Sequence, residues 1–130
     1  MGFTAHDAEG VAILLWSADP SCPERLATPF FHAAAAAAMD ARVELYFSAA
    51  SVRLLLPGVA QGLRASSRVD KTIADNLREA LELGAQLFAC ADALAAQGVA
   101  AAQLIPGVAR GGAVQFMARA IDLRWRALVF

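Results

Sequence analysis

Residues 11–16, VAILLW, are six apolar side chains in a row with no polar residue alternating among them. A strand exposed on one face would alternate, so this run belongs to a strand covered on both faces. Such a strand needs a layer of structure above and below it. Further strands are read in RVELYF at Arg42–Phe47, LFA at Leu87–Ala89 and RALVF at Arg126–Phe130. Helix patterns fall between them, at about Pro23–Met39, Asp70–Leu83 and Ala91–Gln97, and in the segment AVQFMARAID that Gly111-Gly112 opens. This alternation predicts βαβ units and an α/β fold, with a mostly parallel sheet between helical layers, counted as five strands of which these four are placed.

Local signals sharpen the elements. The clearest helix is Asp70–Leu83: Asp70 is placed to cap it, Ile73, Leu77, Ala80 and Leu81 share one apolar stripe, and Gly84 closes it. Arg78 and Glu82 form an exposed pair of little energetic weight. Pro23 suits a first helical turn behind Ser21 or Cys22, whereas Pro29 means that the regular helix begins near it or is kinked there. The alanines from Ala33 to Ala38 allow close approach to the sheet or to a second subunit, although they also fit a general bias toward alanine. In the late helix Ala113, Phe116, Met117, Ala120 and Ile121 share a face. Leu55–Gly62, LLPGVAQG, is echoed at Leu104–Gly111, LIPGVARG, and both copies are expected downstream of strands, near the carboxyl edge of the sheet. No longer period surrounds them, which excludes a solenoid.

Composition narrows the function classes. At 130 residues the chain is one domain, expected over 11–130 behind a loose arm at 1–10. The hydrophobic share is 58% and mean hydropathy is +0.50, yet no apolar run approaches the ~18 residues of a membrane span. The excess is expected in the core and in a subunit interface. Eleven basic residues against 12 acidic ones leave a net charge of -1 and no basic surface for nucleic acid. The N-terminal residues carry no Lys or Arg to flank a signal peptide, and two distant cysteines do not make a secreted disulfide scaffold. A reducing, cytoplasmic setting is expected. No cluster has metal-ligand spacing and no nucleotide-binding glycine motif is present, so neither a metal nor a cofactor is expected.

The strongest chemical signal is QLFACADALAAQG, Gln86–Gly98, in which an apolar run stops at Cys90 and a helix pattern starts at once. That junction places a thiol over the carboxyl edge of the sheet, where open α/β folds keep their ligand crevices, beside the unpaired N–H groups of a helix start. A free cysteine is also a common small core residue, and both readings stand at this point. Cys22 lies on a second strand-to-helix junction and is an auxiliary thiol candidate on the same edge. Arg110, Gly111 and Gly112 could offer a guanidinium and backbone N–H groups to a small anion. His32 reads as a packed or surface histidine, His6 as part of the arm, and Trp16 and Trp125 as core or interface aromatics.

Taken in order, VAILLW, VELYFS with the hydrophobic turn at Leu54–Gly58, the helix ending at Gly84, QLFACADALAAQG and the late LIPGV resemble the DsrE/DsrF-like family of sulfur-relay proteins. The similarity runs from about Val11 to Phe130. It implies a three-layer α/β/α fold with flavodoxin-like layering, a five-stranded parallel sheet, and a homo-oligomer, with trimers and hexamers common. It also implies a cysteine that carries sulfur as a persulfide between donor and acceptor proteins. The matching position is Cys90, in the pattern CxxAxxxxG that ends at Gly98; where active members often carry Arg ahead of that glycine, this chain has Ala96 and Gln97. The alternative is a non-catalytic oligomeric module that binds a small anionic ligand at the same sheet edge.

Overall fold

The computed structural model describes residues 6–130. Five strands form one sheet: β1 (Gly10–Leu15), β2 (Arg42–Phe47), β3 (Gln86–Ala89), β4 (Val108–Arg110) and β5 (Trp125–Val129). Their spatial order is β4-β3-β2-β1-β5 and every pairing is parallel. Four α-helices, α1 (Ala27–Ala38), α2 (Ile73–Glu82), α3 (Ala91–Ala96) and α4 (Ala113–Ala120), make the crossovers.

Alternation along the strands sorts the side chains into two layers. Ile13, Leu15, Val43, Leu45, Phe47 and Leu87 bury one face against α1, α2 and α3, which contribute Phe30, Ala33, Ile73, Leu77 and Leu94. The intervening positions, Ala12, Tyr46 and Trp125 with Leu14 and Phe88, meet Phe116 of α4 on the other face. The result is the three-layer α/β/α arrangement, with three helices on one side and a single eight-residue helix on the other. That lone helix leaves room beside it at the carboxyl edge.

Several boundaries differ from the sequence reading, each for a local reason. The Pro23–Met39 segment divides into a 3-10 turn at Pro23–Arg25 and α1, in which Pro29 occupies the first turn, where its missing N–H costs no helical bond. Asp70 does not cap α2. Thr72 does: its hydroxyl accepts the Asp75 N–H at 3.1 Å, while the Asp75 carboxylate accepts the Thr72 N–H at 2.9 Å. Arg78 pairs more closely with Asp75, at 2.7 Å, than with Glu82, at 3.8 Å. Gly84 closes α2 at φ +104°, and Leu81 stands at the edge of the stripe rather than within it. Trp16 lies outside β1 and is exposed, whereas Trp125 is buried. On α4 only Phe116 of the expected apolar face is buried; Met117 and Ile121 are exposed.

The two copies of the Pro-Gly echo do not both follow strands. Leu55–Gly62 lies downstream of β2, but α3 has carried the chain back to the amino edge before Pro106-Gly107, and Val108–Arg110 of the second copy is itself β4. They still meet, since the Ile105 N–H donates to the Leu55 carbonyl at 2.9 Å. Of the arm expected over 1–10, residues 1–5 lie outside the described residues; at its end the Glu9 N–H donates to the Arg124 carbonyl and its carbonyl accepts the Arg42 N–H.

Candidate functional site

Cys90 stands where β3 gives way to α3. Its N–H donates to the Phe47 carbonyl at 3.1 Å, extending the β2–β3 ladder, and its carbonyl accepts the Leu94 N–H at 3.0 Å, opening α3. These two bonds fix the backbone, while the side chain makes no capping bond to the helix. The thiol is free and half-buried.

One strand over, β4 ends in the same register. The Gly111 N–H donates to the Ala89 carbonyl at 3.1 Å, and the Gly112 carbonyl accepts the Phe116 N–H at 3.0 Å to start α4. Gly111 must be glycine, because a Cβ there would come within 2.9 Å of the Phe88 ring and 3.1 Å of the Phe88 Cβ. A Cβ on Gly112 would lie 3.6 Å from the Cys90 Sγ, so the first turn of α4 runs directly past the sulfur.

Between them lies a cavity of about 260 Å³. Cys90, Gly111, Gly112 and Ala113 bound one side of it. Leu14, Tyr46, Phe47 and Ser48 close it from the ends of β1 and β2, and Phe116 and Met117 descend from α4. The sulfur is therefore not sealed among aliphatic groups; it borders open space at the carboxyl edge of the sheet.

Beneath that wall sits a buried polar network. Glu44 is 2% exposed, accepts the Tyr46 hydroxyl at 2.8 Å, and takes both Nε and Nη2 of Arg119, at 2.9 and 3.0 Å. The paired fork lets a carboxylate persist under α4, since burying one without such partners would be costly. The Arg119 guanidinium lies 4.1 Å from the centre of the Trp125 ring, and a Cβ on Gly10 would strike that ring at 2.5 Å. Tyr46 stacks on Phe88 with centroids 5.0 Å apart and meets Phe116 edge-on at 5.5 Å. Burial, reinforced by the hydrogen bond to Glu44, pushes its phenol up to about 12.

The sequence reading named Cys90, Gly111 and Gly112, which border one cavity, but not this network. Its signal was present: in RVELYF a glutamate shares its inward alternation with Tyr46 and has to find a cation. The partner, 75 residues away on α4, carries no mark in the sequence.

The remaining candidates are dispersed. Cys22 is half-buried at the start of the 3-10 turn that leads to α1, and it is not among the residues lining the Cys90 cavity. Arg110 pairs in register with Ala89, and with Ala89, Leu94 and Leu104 it borders a separate small depression on the α3 side of the sheet. Gly111 and Gly112 line the cavity on the opposite side, so the three residues do not form one cradle. His32 donates from Nδ1 to the Thr28 carbonyl at 2.8 Å and tilts against Phe130. Among the described residues no group of three or more His, Cys, Asp or Glu could hold a metal, and no helix is long and apolar enough to cross a membrane.

Comparison with known proteins agrees with this architecture. The crystal structure of the ychN protein from E. coli superposes with a TM-score of 0.73, covering 94% of this chain and 99% of that one at 18% sequence identity, which establishes a shared fold. No curated protein matches by sequence. The model of the DsrE/DsrF-like family matches residues 11–130, from the first strand to the last residue, and the chain belongs to that family.

Proposed function

We propose that this protein traffics sulfur, accepting sulfane sulfur on Cys90 and passing it on as a persulfide. The observation that carries the reading is the half-buried thiol bordering a cavity of about 260 Å³ at the carboxyl edge of the sheet. Membership of the DsrE/DsrF-like family supports it. A carrier needs a sulfur that is held, reachable and able to bear negative charge. The backbone bonds of Cys90 supply the first, the cavity the second, and the N-terminal ends of α3 and α4 beside the thiol favour the third.

The chemistry is exchange at sulfur. The Cys90 thiolate attacks the outer sulfur of a donor persulfide R–S–SH, the donor's S–S bond breaks as the new one forms, and R–S⁻ leaves. An acceptor thiolate repeats the step on the Cys90 persulfide. No net oxidation occurs. Incubation of the protein with a persulfide donor, followed by peptide mass spectrometry, should add the mass of one sulfur atom to the Cys90 peptide, removable by a reducing thiol. A Cys90 peptide unchanged under conditions that convert free cysteine would refute the reading.

We also propose that the chain works as a homo-oligomer, a trimer or hexamer. Val114 and Ile121 on α4, together with Leu123 and Val129, are exposed apolar side chains that a second copy would cover. The two free thiols fit a reducing compartment such as the cytoplasm. The separation of Arg110 from the glycine pair leaves the anion-binding alternative without a specific observation in its favour.

A further inference from the structure

We infer that the donor Cys90 accepts from is a small organic persulfide with an uncharged, apolar R group, not an inorganic sulfur compound or one whose R group is charged. This rests on the sulfur-carrier reading above and names its substrate class. The argument begins with what lines the cavity. Leu14, Phe47, Phe116 and Met117 are hydrocarbon or thioether, and no lining residue besides the cysteine carries or readily acquires a charge. The Tyr46 hydroxyl is committed to the Glu44 carboxylate at 2.8 Å. The two arginines that could have served an anion are both occupied elsewhere: Arg119 is forked onto Glu44, and Arg110 lies across the sheet against Leu94 and Leu104. A sulfonate or carboxylate carried on R would shed its water against Phe116 and Met117 and find no side-chain cation in exchange. An apolar group loses nothing by the same move. The space is adequate, because about 260 Å³ exceeds the ~150 Å³ apolar cavity that holds a benzene molecule.

In the step itself, a donor R–S–SH seats R against Phe116 and Met117, and its outer sulfur meets the Cys90 thiolate. The S–S bond forms to Cys90 as the donor's S–S bond breaks, R–S⁻ departs and takes up a proton from water, and the electron count is unchanged.

Two measurements on the full chain test this. First, benzyl, sulfonatoethyl and trimethylammonioethyl methanethiosulfonates are compared for their rates at Cys90 by peptide mass spectrometry, each rate divided by that with free cysteine. The benzyl reagent should lead both charged ones by at least about tenfold, and Met117→Trp, which fills the cavity from a half-exposed position, should remove most of that lead. Second, benzyl persulfide should load sulfur on Cys90 about tenfold faster than cysteine persulfide on the same normalised scale. A normalised benzyl lead short of about tenfold, or charged reagents ahead, would overturn the inference. If cysteine persulfide loads Cys90 as well as benzyl persulfide does, sulfur carriage survives and the apolar donor does not. If the benzyl reagent leads but neither persulfide delivers sulfur, both proposals fall.

Discussion

Tyr46 is the only tyrosine in the chain, so its ionisation can be followed by tyrosinate absorbance with no competing signal. The phenol is 2% exposed, stacked on Phe88, and donates to a carboxylate that is itself held by Arg119. Ionising it would place a second negative charge against Glu44 in a dry layer, which is why burial first and the Glu44 hydrogen bond second raise its midpoint from 10.0 to about 12. Because the folded value lies above the unfolded one, the associated stability is complete below pH 10 and is lost as pH rises toward 12. Raising the phenol from 10.0 to about 12 corresponds to about 3 kcal/mol at the alkaline end. The assay is an alkaline titration that records tyrosinate absorbance and far-ultraviolet circular dichroism on the same samples. Absorbance should stay flat through the ordinary tyrosine range and rise only near pH 12 or together with loss of ellipticity. Glu44→Gln should lower the midpoint but leave it above 10.0, since burial, the larger cause, remains. A tyrosinate signal midway near pH 10 with ellipticity intact would show a solvated phenol and refute the packing under α4.

Two further perturbations probe what holds the site. Arg119→Met removes the fork from Glu44 and should cost about 3 kcal/mol in urea unfolding, toward the lower end for a buried pair because the arginine side chain is 27% exposed; adding Glu44→Leu should restore part of that loss. Thr72→Ala should destabilise the protein by about 1 kcal/mol through loss of the α2 cap. The Asp75 carboxyl is held below the usual carboxylate range by the Thr72 backbone N–H and then by Arg78, so its contribution is complete above the unfolded carboxyl range and is lost as pH falls through the folded value. The stability gap between the wild type and Asp75→Asn should therefore narrow in acid.

The segment QLFACADALAAQG was legible because it combines two short-range signals, an apolar run and an immediate helix start, whose junction can only be a sheet edge. What surrounds Cys90 was not legible in the same way. Gly111 and Gly112 read as a turn offering an anion site with Arg110, yet a strand residue and its neighbour point to opposite faces, and pairing of Arg110 with Ala89 sends the guanidinium to the α3 side. The cavity wall from Leu14, Tyr46 and Phe116 joins three elements far apart in sequence, and no local pattern marks such a meeting.

The Pro-Gly echo separates what the chain specifies locally from what the assembled fold imposes. In LLPGVAQG and LIPGVARG the turn is the same, with Gly58 at φ +86° and Gly107 at φ +87°, because proline restricts its own backbone and glycine tolerates the left-handed region wherever the pair occurs. The residues that follow are nearly identical and yet diverge: Ala60–Gly62 is a 3-10 turn and Val108–Arg110 is a strand. After Gly107 the chain passes the open edge of β3, which pairs Leu87 with Val108, whereas in the assembled sheet β2 beside Gly58 has β1 on one edge and β3 on the other and offers no free edge. Turns, caps and the two-faced burial of VAILLW are thus written in neighbouring residues. Which backbone groups remain unpaired, and so where β4 ends and the first turn of α4 meets the sulfur, follows only once the sheet exists.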